Sequence, residues 1–216
     1  MLRMTTIRRS IVVLAVGALA GAVLAGCAAT TTAKQDDVAA RAAAMLKASF
    51  HDRGQAKLDR LDQDDTQRAC TTAGTQAPSK EVAAKIEQVN LQTIKWPADG
   101  KYLGDWRNGE KLAQEGRGMQ YSDNPKGPVG GNCYACHQLT KEEVAYGTMG
   151  PSLYNFGKKR GSGPDMQKYT YGKVYNAEAY AACTNMPRFG HKRILTEAQI
   201  KDVVALLLDP ASPVNK

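Results

Sequence analysis

Two cysteines and a histidine fall within five residues at Cys133-Tyr134-Ala135-Cys136-His137, inside the stretch GGNCYACHQL of residues 130–139. Three chemistries use cysteine at this spacing: structural zinc, a redox disulfide and covalent attachment of a haem. Structural zinc takes four ligands, commonly from two paired half-sites. The chain has one Cys-x-x-Cys and no second pair. A thioredoxin-like dithiol sits in a strand–helix–strand pattern, and no such pattern surrounds these residues. Haem uses every position of the motif. Two thiols at this spacing can add across the two vinyl groups of one porphyrin, and the adjacent histidine then lies under the iron as proximal ligand. The motif predicts one covalently attached haem c, anchored by Cys133 and Cys136 and ligated by His137.

The second axial ligand is expected downstream. Met186, in TNMPRFG just before the last helix, offers a thioether, which raises a reduction potential relative to a second histidine. Met149 competes, but it lies only twelve residues from His137. His191 would give a bis-histidine site of lower potential, and a five-coordinate iron with Met186 in the core is the remaining alternative. The Pro151 carbonyl is the expected acceptor of the His137 ring N–H, which would orient the imidazole and increase its basicity. His51 lies among charges with no partner pattern and is expected at the surface.

The amino terminus gives a compartment. Arg3, Arg8 and Arg9 precede an apolar run from Ile11 to Ala25, too short for a spanning helix of roughly 20 residues but with the layout of a secretory signal. It ends in Leu24-Ala25-Gly26-Cys27, which looks like a lipobox. Residues 1–26 are read as a lipoprotein-type signal peptide, with Cys27 lipidated and the mature chain tethered in the periplasm without a membrane-spanning helix. Removing residues 1–26 takes away three arginines and no acid, so the net charge falls from +8 to +5. The chain has no arginine-rich arm, no nucleic-acid motif and few aromatic residues, so nothing indicates nucleic acid, and none is expected as a partner. Arg188, Lys192 and Arg193 flank Met186 and are either a solvated basic edge or a docking surface for an anionic partner.

Cysteine use then closes. With Cys27 on lipid and Cys133 and Cys136 on haem, Cys70 and Cys183 remain, and in an oxidising compartment they are expected to form a disulfide. Residues 27–95 read as a tether followed by a helical extension. Helical spacing occurs over residues 36–50, Leu58 and Leu61 extend that pattern, and Val82, Ile86 and Val89 mark another helix over residues 80–95. Residues 96–216 read as the haem-bearing domain. In it, Asp105 is a candidate N-cap, residues 147–175 read as loops around the cofactor, and Thr196 with Gln199 has capping-box spacing ahead of an apolar stripe from Ile200 to Leu208.

GNCYACHQL (131–139), GTMGPSLYNFG (147–157) and NMPRFGHKRILTEAQIKDVVALLLDP (185–210) together resemble SoxX, the monohaem subunit of the SoxAX cytochrome of bacterial thiosulfate oxidation. GPSLYNFG is similar to the loop on the proximal side of class I cytochromes. The resemblance covers roughly residues 100–216, and the extension with Cys70 and the lipobox goes beyond the minimal pattern. It implies an all-α class I cytochrome c fold with His137 and Met186 as axial ligands and Cys133 and Cys136 as thioether anchors. It further implies a heterodimer with a SoxA-type haem subunit, where thiosulfate is oxidatively joined to a cysteine of the carrier SoxY. This chain would be the non-catalytic electron-transfer subunit of that L-cysteine S-thiosulfotransferase, passing electrons to a small soluble cytochrome c. The residues alone support electron transfer, and thiosulfate comes from the resemblance. A free-standing lipid-anchored cytochrome feeding a terminal oxidase, and a haem enzyme or gas sensor with a labile Met186 bond, are the alternatives.

Overall fold

The computed structural model describes residues 37–74 and 76–216. The basic head, the apolar run and Cys27 lie outside them. The described residues are helical and form no strand, apart from a lone bridge between Arg53 and Ala56. Among them, no helix is long and apolar enough to cross a membrane. They belong to two compact units that divide between Asp52 and Arg53. In the first, residues 37–49 form helix α1, which leaves Val38, Met45 and Leu46 exposed, as is Phe50 beyond its end.

The second unit begins with a 3₁₀ turn at Leu58–Leu61, followed by α2 (Asp65–Ala73), α3 (Lys80–Gln92), α4 (Trp106–Gln114), α5 (Phe156–Arg160), α6 (Pro164–Tyr175) and α7 (Glu197–Leu208). A capping box starts α2: the Asp64 carboxylate accepts the Gln67 N–H, and the Gln67 side chain accepts the Asp64 N–H. Ser79 caps α3. The stripe expected on α3 is only partly its buried face, because Ile86 and Asn90 are buried while Val82 and Val89 stay exposed. The reason is polar. Asn176 Nδ2 donates to Asn90 Oδ1 and to Thr93 Oγ1, both at 2.9 Å. The helix turns inward the face that satisfies these buried groups.

Residues 147–175 are not loops throughout, since they contain α5 and α6. The inward positions of α6 are Thr170, Tyr171, Gly172, Val174 and Tyr175. Aliphatic periodicity is therefore missing where the helix is most buried. Pro164, which reads as loop punctuation, occupies the first turn, where a missing N–H costs nothing.

The core is built on α7, with Thr196 and Gln199 as its capping box. From Val203 to Leu208 every residue is buried. A helix apolar all round needs partners on every side. One is α4, which approaches so closely that a Cβ on Gly109 would lie 2.1 Å from the Asp202 carbonyl oxygen and 2.9 Å from Leu206 Cβ. The Asp105 N–H also donates to Asp202 Oδ1 at 2.8 Å. The C-terminal segment closes the far end: Ser212 Oγ donates to the Leu206 carbonyl at 2.6 Å, and Asn215 Nδ2 donates to those of Leu207 and Asp209 at 3.1 and 3.0 Å. These bonds satisfy carbonyls that a helix end leaves without partners.

Gly109→Ala is expected to push α4 off α7 at a cost of about 1–3 kcal/mol. Thermal unfolding should show it as a Tm lower by roughly 2–4 °C per kcal/mol.

Candidate functional site

The cysteine–histidine segment is a short 3₁₀ turn, Cys133–Ala135, entered through Asn132 in the left-handed region at φ 45°. The Gly131 N–H donates to the Leu112 carbonyl at 2.8 Å, fastening the turn to the end of α4. The Cys136 and His137 N–H groups both donate to the Cys133 carbonyl, at 3.1 and 2.9 Å. Both thiols and the imidazole thereby line one cavity of about 700 Å³. Its size is within the roughly 300–1,000 Å³ typical of cofactor sites.

His137 is fixed from behind. Its Nδ1 lies 2.7 Å from the Pro151 carbonyl oxygen. A carbonyl can only accept, so Nδ1 carries a proton and Nε2 is the nitrogen that is left to meet a ligand. The loop passes so close that a Cβ on Gly150 would lie 2.1 Å from His137 Cε1. Gly150 is the cradle in which the ring lies, and its N–H donates to the Cys136 carbonyl at 2.8 Å.

Met186 lines the same cavity and is partly buried against the core. Met149 also lines it, at a rim where 68% of the residue is exposed. His191 is not among the lining residues; its Nδ1 is 3.1 Å from Thr93 Oγ1, and burial, with Arg188 and Lys192 nearby, lowers its pKa. Val203 and Leu207 of α7 form part of the apolar wall. That apolarity is felt by the Cys133 thiol, which burial pushes up to about 12. His51 is exposed.

The residues fit a covalently held porphyrin. The cavity is large and apolar, both thiols are free, and the imidazole has one nitrogen directed away from its carbonyl partner. Among the described residues, no three His, Cys, Asp or Glu side chains converge as a bare metal ion would require.

Cys70 and Cys183 are disulfide-bonded, closing a loop across 113 positions. For a loop of ~100 residues the chain-entropy model gives about 4.7 kcal/mol. The basic residues beside Met186 divide. Arg188 is buried and pairs with Asp64 at 2.5 Å, and Lys192 reaches the same carboxylate oxygen at 2.7 Å. The Arg188 charge is engaged inside the molecule, whereas Lys192 and Arg193 are exposed and remain a basic edge beside Met186. Burial opposes ionisation of Asp64, but hydrogen bonds from Lys192, the Gln67 N–H and Arg188 outweigh it and hold the carboxyl well below its ordinary 3.8. Sequence reasoning missed Asp64 and Gly150. The spacing of Asp64 and Gln67 marks a helix start, yet no local signal pairs Asp64 with a residue 124 positions away.

Asp64→Asn should destabilise the protein by about 2–3 kcal/mol near neutral pH, because Arg188 is left desolvated without its counter-ion. A depressed carboxylate contributes fully above its unfolded pKa of about 4, and the contribution fades as pH falls through the lower folded value. Chemical denaturation across pH should show the two proteins converging in acid. In Gly150→Ala the added methyl displaces the imidazole, and the expected outcome is a lower ratio of covalent haem to protein, read by the pyridine haemochrome assay.

Residues 107–209 match the family described as Cytochrome c. An uncharacterized lipoprotein of Aquifex aeolicus (strain VF5) is 38% identical over 200 residues, which span 92% of this chain and 95% of that protein.

Proposed function

We propose that this chain, whose residues 107–209 match the Cytochrome c family and which carries a covalently attached haem c, is the electron-transfer subunit of a SoxAX-type cytochrome. The observation that carries this reading is the single cavity that both His137 and Met186 line. Bound there, the haem supplies a one-electron couple whose potential a methionine–histidine pair raises. His137, held by Pro151, presents Nε2 to the iron, and Cys133 and Cys136 fix the porphyrin edge. Met186 would supply the second ligand to the iron, and redox partner proteins are the expected correspondents.

The specific assignment draws on the likeness of residues 131–139, 147–157 and 185–210 to SoxX. On that reading the chain pairs with a SoxA-type haem subunit, receives the electrons released when thiosulfate is joined to SoxY, and delivers them to a small soluble cytochrome c. Cys27 is the proposed lipid anchor on the periplasmic side. The similarity to a lipoprotein over nearly its whole length supports that tether. It equally favours a second reading, a free-standing tethered cytochrome that feeds a terminal oxidase.

Purification under mild conditions separates the two. An equimolar second haem subunit, with reduction by thiosulfate only when the carrier is present, supports the first. A lone monohaem protein oxidised by membranes supports the second. In Met186→Ala, a lower midpoint potential and ready binding of carbon monoxide are expected. An unchanged optical spectrum and potential would overturn Met186 as ligand.

A further inference from the structure

Among the described residues, residues 185–187 make no main-chain hydrogen bond. A local restraint is the Met186 N–H, 3.3 Å from Thr184 Oγ1. A segment so poorly bonded must be held at its flanks, and both flanks are tied to residues 64–93. On one side, Cys183 is bonded to Cys70, and the Ala182 N–H donates to Glu87 Oε1 at 3.2 Å. On the other, Arg188 and Lys192 meet Asp64.

Cys183 adds an independent sign. It stands in the left-handed region at φ 58°. That conformation is uncommon for a residue with a side chain and persists where the surroundings over-determine it. Here the disulfide holds the sulfur, and Glu178 Oε2 accepts the Cys183 N–H at 2.7 Å. Cys183 itself lines the cavity.

We propose that Asp64 and Cys70 are positioning residues for Met186: from outside the span matched by the cytochrome c family, they clamp residues 183–192 so that the thioether stays at the iron. The inference rests on the reading of Met186 as axial ligand. A thioether is a weak, neutral ligand. Its occupancy of the sixth position depends on being held there in advance, as with any preorganised contact. The clamp acts on both sides of the ligand, three residues before it and two after it. One tie is covalent and the other ionic, so each can be removed separately.

The test uses the full-length haem-loaded protein and three readouts: the weak red-edge charge-transfer band of the sulfur–iron bond, the midpoint potential, and carbon monoxide binding. Asp64→Asn and the double variant Cys70→Ser/Cys183→Ser should each lose part of the band and lower the potential. Both together should bind carbon monoxide about tenfold more tightly, equivalent to about 1.4 kcal/mol of lost competition from the sulfur. Ile86→Ala, which loosens α3 without removing either tie, should lower Tm and leave the band and the potential in place. If the cysteine variant does not accumulate, phosphine reduction of the disulfide in the folded wild-type protein gives the same comparison through carbon monoxide binding. Wild-type band, potential and carbon monoxide resistance in both variants, alongside their loss in Met186→Ala, would overturn the clamp. Retention of the band in Met186→Ala would overturn the ligand assignment instead.

Discussion

The burial of α7 on all sides from Val203 to Leu208 is the constraint from which the rest of the compact unit follows. Ile200 and Val204 are fully buried, and Leu206 and Leu208 are 1% exposed. At about 25 cal/mol per Å², such side chains are the largest apolar contribution available to a chain with so few long aliphatic segments. Each side of the helix has its own partner. Gly109 lets the backbone of α4 come into contact, the C-terminal segment caps the last carbonyls, and Val203 with Leu207 faces the cavity. The cavity wall is therefore part of the same helix that organises the core. A cofactor packed on that wall makes the contacts that neighbouring side chains supply elsewhere.

From this wall the site is assembled by two loops of different character. The proximal loop is over-determined: the Cys136 carbonyl holds Gly150, the Pro151 carbonyl holds His137, and the Leu153 N–H returns to the Gln138 carbonyl at 2.8 Å. The loop bearing Met186 has almost no backbone bonds and depends on residues far away in the chain. His137 and Met186, the two proposed axial ligands, thus have different physical support, local for the histidine and remote for the methionine. Polar ties do the remote work. Asn90, Thr93 and Asn176 form one group, and Asp64, Arg188 and Lys192 another. Ties of this kind fix register more than they add net stability, because desolvating charges offsets much of their attraction.

What could be read in advance divides along the same line. The all-helical cytochrome c fold and its haem were legible because five consecutive residues, 133–137, carry the attachment chemistry. The final helix was legible because its stripe and its capping box are local. By contrast, α6 was hidden, since Thr, Tyr and Gly occupy its buried face and the signal of spaced aliphatics is absent. The inward face of α3 was only partly legible, because it is chosen by Asn90 meeting Asn176, 86 positions away. Gly150 could not be identified as a cradle from sequence, because a glycine beside a proline is ordinary loop chemistry until the imidazole is placed against it.

The buried Glu178 shows why the remote support has to be polar. Burial pushes its pKa up, and the Cys183 N–H works against that shift by donating to the carboxylate. An apolar residue in its place would leave the Cys183 N–H without a partner in a backbone conformation that already costs about 1–3 kcal/mol. The carboxylate accepts that N–H, and Glu87 accepts its neighbour's, at the point where the chain turns toward the cavity. Hydrophobic packing is non-directional and would let this turn slide. Directional acceptors, together with the disulfide at the same residue, define one path for the chain into Met186.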